Sequence, residues 1–344
     1  MKRIIASLVV CVMAFTLLTG CGGGSGGTDS GSGTEGEKYD NVSLKLSCNG
    51  TQVANDTKAA TRFAELVEEK SGGNVKVSVF PNDQLASGNM SKGLELVCDG
   101  TVDIDCHSSS IIANLDNRLL VVMLPWIFDD YQEAEDVFFG KGGEFIDSVV
   151  QEKGLYYLGA VHNGFKAMTS SKTLIKDPDD LKGQKMRIPG GDFVGEFYTA
   201  LGASPQAMSW GEVFTALQQG TIDGHDNSLS TINSNNVQEV QPYITLSRHT
   251  YEAFTFTANK ASMDKLNDAT QELIYECIEE ACKEVNQEIA NGEEDLKTKF
   301  VEESGCELYE FTDEDVEEFS AVISDIVEKY KGIYGPEACE AFGV

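Results

Sequence analysis

The chain has 344 residues, 41% of them hydrophobic, with 56 acidic against 26 basic side chains and a formal net charge of −30. That balance excludes duplex nucleic acid as a partner, because such binding needs a basic face. It also works against surface steering of anions, so any anion site has to rest on local, buried cations.

Lys2 and Arg3 open the chain, and Ile4 to Leu18 is an apolar run of the length found in export signals. It is shorter than the roughly 20 apolar residues of a membrane-spanning helix. Leu18-Thr19-Gly20-Cys21 resembles a bacterial lipoprotein box, which predicts a signal peptide over 1–20, cleavage before Cys21 and lipidation of Cys21. Several acyl chains at Cys21 would anchor the protein to the membrane on its extracytoplasmic side, as one chain would not. The alternative is an ordinary secretory signal with an incidental cysteine. Residues 21–40 are rich in glycine and serine and read as a flexible linker with an r.m.s. reach of about 20–25 Å.

About 300 residues follow, more than one hydrophobic core usually serves, so two lobes are expected. Val42 to Ser47 alternates like a strand, and Asp56 to Lys70 carries Ala59, Phe63, Leu66 and Val67 at helical spacing. Val75 to Phe80 is a strand stopped by Pro81. A helix over Met90 to Cys98 leads to a strand, Val102 to Cys106, with a polar loop, His107-Ser-Ser-Ser110, at its end. Strands follow at Leu155 to Val161, Phe165 to Thr169 and Gln184 to Ile188, then a helix over Asp192 to Leu201. Ser209-Trp-Gly-Glu212 has the form of a capping box opening a helix that ends at Gly220. After a strand, Tyr251 to Ala258, helical periodicity runs from about Asp268 to Glu302 without proline, long enough to bridge two lobes. A strand, Leu308 to Phe311, and a helix, Asp313 to Tyr330, close the chain. Repeated βα units predict an α/β fold with mostly parallel sheets and ligand sites beyond the strands' carboxyl ends.

Two segments carry chemistry. Leu181 to Pro189 sets Arg187 on a short strand stopped by Pro189, and Asp223-Gly-His-Asp-Asn-Ser228 ends a glycine-marked turn with Asn227. A fork of N–H groups facing an amide suits a small carboxylate. A secreted hydrolase is a competing reading, but the four histidines (His107, His162, His225, His249) stand in no Gly-x-Ser-x-Gly or His-Glu-x-x-His arrangement. Beyond Cys11 and Cys21 the cysteines are irregularly spaced, which predicts buried free thiols and no zinc site; no other metal or cofactor is expected.

Several ordered pieces resemble the solute-binding proteins of tripartite ATP-independent periplasmic (TRAP) transporters. They are Phe80-Pro-Asn-Asp-Gln-Leu85, Leu124-Pro-Trp-Ile-Phe-Asp-Asp-Tyr131, Asn163-Gly-Phe-Lys166, Asp180 to Pro189, Ala200-Leu-Gly-Ala203, Trp210 to Gly220, Asp223 to Asn227 and the long helix. The resemblance covers about residues 42–335. It implies a periplasmic-binding-protein-like clamshell of two α/β lobes joined by crossing strands, with a long helix between them. Lobe I would take 41–163 plus about 252–291, and lobe II 164–251 plus about 292–344. It also implies capture of a small organic acid, delivery to TRAP permease subunits in the membrane, and a monomer. A sensory lipoprotein serving a signalling receptor, or the binding lipoprotein of an ATP-driven importer, would share the broad architecture.

By this resemblance Arg187 binds the ligand carboxylate and Asn227 touches the same group. Lys166 stands where many members carry a second arginine; it keeps the charge, loses the bidentate fork, and favours a second anionic or hydroxyl-rich end on the ligand. His225 and Asp226 replace a glutamine and a glutamate frequent there, which places His225 in the polar lining. Trp210 and Phe193 are candidate apolar walls, and Ser109, within Ser108 to Ser110, is a candidate contact from the first lobe. No ligand role transfers to the segment around Asn89. Monocarboxylates, C4-dicarboxylates, keto acids, sugar acids and amino acids all satisfy Arg187.

Overall fold

A computed structural model describes residues 38–344; the signal segment, Cys21 and the linker up to residue 37 lie outside the described residues. Two sheets organise the body. The first has strand order β2-β1-β3-β10-β4, with β1 (Val42–Cys48), β2 (Val75–Phe80), β3 (Ile104–Ser108), β4 (Leu155–Phe165) and β10 (Tyr251–Asn259). The second has order β11-β9-β5-β8-β6-β7, with β5 (Ala167–Ser170), β6 (Lys185–Ile188), β7 (Ser204–Ala207), β8 (Gly224–Asn227), β9 (Tyr243–Leu246) and β11 (Glu307–Glu310). The fold is the expected two-lobed α/β arrangement.

The sheets are mixed rather than mostly parallel. β10 runs antiparallel to both β3 and β4, and β5 runs antiparallel to both β8 and β9. The reason lies in the two crossings between sheets. The chain leaves the first sheet along β4 and enters the second as β5, then returns from β9 along β10, so the two crossing segments oppose each other. The Lys166 amide donates to the Thr250 carbonyl at 2.8 Å and ties the crossings together.

Local sequence accounts for much of this. In helix Asn55–Lys70 the four apolar positions, Ala59, Phe63, Leu66 and Val67, are all buried. Helix Asp268–Glu302 is capped by the Asn267 side chain, which accepts from the Thr270 amide. Its 35 residues span about 52 Å at 1.5 Å per residue. Leu273, Ile274, Ile278 and Val285 enter the core around the first sheet, whereas Phe300 enters a separate core around β5 and β9. The last helix, Pro336–Ala341, is followed by Phe342, whose ring meets Phe138 and Phe145 edge-on. All seven cysteines among the described residues are free, and six of them are buried.

Two local expectations fail. The predicted loop from His107 to Ser110 is instead the end of β3 followed by a helical turn, Ser109–Ile112, because pairing with β10 carries the strand on to Ser108 opposite Phe254. Helix Trp210–Gln218 starts without a capping box: the Ser209 side chain makes no cap bond, and the Glu212 amide is already committed to the Ser209 carbonyl at 3.1 Å.

Beneath β3, His107 is fully buried between two carboxylates; Nε2 meets Asp83 Oδ1 at 2.6 Å and Nδ1 meets Asp105 Oδ1. Burial alone would lower its pKa, but Asp105 and Asp83 hold it well above the ordinary imidazole value. The folded state therefore keeps a proton that the unfolded chain releases above about pH 6.5. This contribution is complete below that pH and is lost as pH rises through the elevated folded value. Thermal unfolding is expected to show stability falling as pH rises above about 6.5, with a shallower fall in His107→Gln. Equal slopes in both proteins would refute the assignment.

Candidate ligand cleft

A cleft enclosing about 420 Å³ of space, part of it open to solvent, lies between the two sheets. Asn49, Gly50, Met90, Ser108 and Ser110 line it from the first lobe. Arg187, Pro189, Trp210, Asn227, Thr231 and Asn235 line it from the second, and Asn163 and Glu252 from the crossing strands.

Arg187 sits on β6 directly opposite His225 of β8. Its Nε and Nη2 both donate to the Met208 carbonyl, at 3.1 and 2.9 Å, and its guanidinium carbon lies 5.4 Å from the centre of the Trp210 ring. Two of its nitrogens and one face are thereby fixed, while Nη1 makes no hydrogen bond among the described residues. Burial pushes its pKa down to about 10, against the opposing pull of Asp226 and Glu252. It remains a cation at neutral pH, and no carboxylate among the described residues forms a salt bridge with it.

Alternation along β8 sends His225 and Asn227 to one face and Asp226 to the other. Gly224 permits this pairing, since a Cβ there would meet the Thr169 carbonyl oxygen at 2.1 Å. Asn227 is thus a strand residue, not a turn residue. Its Oδ1 accepts from Asn163 Nδ2 at 3.2 Å and from the Ser228 amide at 3.1 Å. The acceptor is consumed, so Asn227 presents its N–H₂ donors beside those of Arg187.

Asn163 organises this floor. Its Oδ1 accepts from Ser228 Oγ and Thr231 Oγ1 at 2.9 and 2.7 Å, and its Nδ2 also donates to Glu252 at 3.3 Å. Gly164 beside it has φ +122°, and a Cβ would meet the Tyr131 hydroxyl at 2.9 Å and Ser228 Cβ at 3.2 Å. The Asn163-Gly-Phe-Lys166 motif therefore owes its glycine to close packing under the cleft. The Leu124 to Tyr131 motif anchors the same region: Trp126 donates from its amide to the His249 carbonyl and from Nε1 to the Ser247 carbonyl, each at 3.2 Å.

Several candidates occupy other roles. Lys166 is buried behind the wall, 3.3 Å from Asp226 and 3.1 Å from Glu252, and does not line the cleft. Burial would lower its pKa, but Asp226 and Glu252 raise it. Burial would likewise raise that of Asp226, yet Lys166, His249 and Tyr198 hold it well below the carboxylate range. Two protein carboxylates already pair with Lys166, and it stands outside the cleft lining. His225 is buried behind Trp210, with ring centroids 5.7 Å apart, and its Nδ1 pairs with Thr169 Oγ1 at 2.6 Å. Burial drives its pKa down to about 3, so it supports the wall as a neutral ring and does not line it. Phe193 packs in the core against Tyr330 and Phe197. Ser109 turns away, donating to the Ala253 carbonyl at 3.1 Å, and leaves Ser108 and Ser110 at the cleft. Trp210 lines the cleft, held by Nε1 donating to Asn235 at 3.2 Å.

Sequence reasoning missed Glu252 and the hub role of Asn163. The signal for Glu252 was present as a lone carboxylate in the apolar run Tyr251 to Ala258, since unpaired acids are almost never fully buried. Ser247, His249 and Asp226 are linked in a row, Oγ to Nδ1 at 2.7 Å and Nε2 to Oδ2 at 3.2 Å, with the ring nitrogens reversed from those of a serine-hydrolase triad. All three are buried and none lines the cleft, so their bonds brace the crossing segment.

Residues 49–332 match the model of the bacterial extracellular solute-binding proteins, family 7. The chain belongs to that family. A C4-dicarboxylate-binding protein of Bacillus subtilis (strain 168) is 32% identical over 284 residues, covering 81% of this chain and 79% of the relative. Among solved structures, the sugar acid binding protein of Advenella mimigardefordensis strain DPN7T in complex with galactonate superposes with a TM-score of 0.83 at 31% identity, covering 88% of this chain and 97% of that one. A TRAP periplasmic solute-binding protein from Sulfurospirillum deleyianum with bound succinate superposes at 0.82 with 28% identity, covering 89% and 99%. This family 7 member is therefore a solute-binding protein of the TRAP type, an extracytoplasmic transport class. Its cleft lies between the two sheets, where the family's two-lobed fold opens.

Proposed function

We propose that this solute-binding protein captures a small organic acid in the interlobe cleft and delivers it to the membrane permease of a TRAP transporter. The observation that carries this is Arg187: a buried cation, locked in place, with no salt bridge to a carboxylate among the described residues, beside the N–H₂ donors of Asn227. A buried charge without a partner is costly, and a ligand carboxylate supplies the partner. Lobe I over 41–163 plus about 252–291, with lobe II supplying 164–251 plus about 292–344, is the division this reading uses. Anchoring through lipidated Cys21 after signal cleavage is supported by the Leu18 to Cys21 sequence, and would keep the protein near its permease. The succinate and galactonate held by the two superposed proteins support an acid as the ligand class.

A thermal-shift panel of small organic acids, each with its uncharged amide, tests the proposal. Ligand at 100 times Kd adds about 2.7 kcal/mol of stability, so an acid that fits raises the melting temperature while its amide does not. Equal stabilisation by acid and amide, or none by any acid, would sink it.

A further inference from the structure

Glu252 turns a carboxylate toward the cleft from a strand otherwise buried and largely apolar. Its Oε1 accepts from the Ser110 amide at 3.2 Å, and its Oε2 is 3.3 Å from Asn163 Nδ2 and 3.1 Å from Lys166 Nζ. An ionised carboxylate offers about four lone-pair positions, and three contacts from the protein leave room for one more donor. The charges gathered here are Arg187 and Lys166 against Asp226 and Glu252, and Lys166 is spent between the two acids. One ligand carboxylate can pair with Arg187. A second on the same molecule would find no further cation and would approach Glu252, a like-charge contact that is strongly unfavourable.

Hydroxyl groups fit the same wall. Ser108, Ser110 and Thr231 line it with small hydroxyls, and Glu252 can accept from an O–H without needing its charge neutralised again. A ligand ammonium brings three N–H donors, and Glu252 has one position left for them. We infer that the ligand is a hydroxylated monocarboxylate of the aldonic-acid kind, and that Glu252 turns dicarboxylates away. This rests on the carboxylate-capture reading.

Calorimetric titration with size-matched pairs decides it: erythronate against succinate, galactonate against adipate, and glutamine as the zwitterion. The wild-type protein should bind one of the hydroxy acids at least about 30-fold more tightly than its dicarboxylate partner, a difference of about 2 kcal/mol. Glu252→Gln should shrink that ratio about tenfold by tightening the dicarboxylate, and Glu252→Asp should preserve it. Equal or tighter wild-type binding of the dicarboxylates, preference for glutamine, or a ratio unmoved in Glu252→Gln overturns the inference. If Glu252→Gln does not fold, the wild-type ratio and Glu252→Asp still decide. Binding of both acid classes without preference defeats this inference and leaves carboxylate capture standing; no binding of any acid defeats carboxylate capture as well.

Discussion

Arg187→Ala is expected to weaken binding of the acid ligand by 30-fold to several thousand-fold while leaving the unliganded fold intact. Losing one partner of a buried, hydrogen-bonded charge pair costs about 2–5 kcal/mol. Here the penalty falls chiefly on the complex, because no carboxylate among the described residues forms a salt bridge with this guanidinium. Removing an unpaired buried cation can even raise the melting temperature of the unliganded protein. Arg187→Lys should recover part of the affinity: it restores a charge but not the two-nitrogen grip on the Met208 carbonyl or the flat face against Trp210. Calorimetry and thermal melts on the same preparations separate the two effects. An affinity within threefold of wild type would remove Arg187 from the site, whereas lost affinity with an equal loss of unliganded stability would make it a structural residue.

Lys166→Met should behave in the opposite way, acting first on folding. It strips the cation from two buried carboxylates, Asp226 and Glu252, at 3.3 and 3.1 Å. Breaking a buried pair by removing one side typically costs about 3–5 kcal/mol, which for a protein of this size is on the order of 10 °C in melting temperature. The loss should shrink in acid, where the stranded carboxylates can take up protons. Combining Lys166→Met with Glu252→Gln should cost less than the two changes summed, because the second removes a charge that the first exposed. Strict additivity in urea or thermal unfolding would show that the three groups are not coupled.

What was legible in the sequence follows from how locally it was encoded. Arg187 could be placed because Pro189 limits its strand on one side, and the 35-residue helix because nothing in it breaks periodicity. The strand directions were not legible, since β4 and β10 meet across some ninety residues of intervening chain and only tertiary pairing orients them. Lys166 read as a candidate ligand cation, but its partners Asp226 and Glu252 lie 60 and 86 positions away, so the pairing of its charge was invisible. The choice of Ser109 over its neighbours was an error of phase: one step along the chain exchanges cleft for core. Phe193 went astray because the surface it covers is Tyr330, on a helix far along the chain.

The bond between Lys166 and Thr250 sets a fulcrum, and the cation with its two acids sits beside it. In any rotation of one half against the other, atoms beside the axis travel little, while the far rim of the cleft sweeps through a long arc. A molecule whose charged end lodges near that axis is gripped almost alike throughout the swing. Its distal end alone would feel the jaws arrive, so the length of the guest would bear on how far they shut.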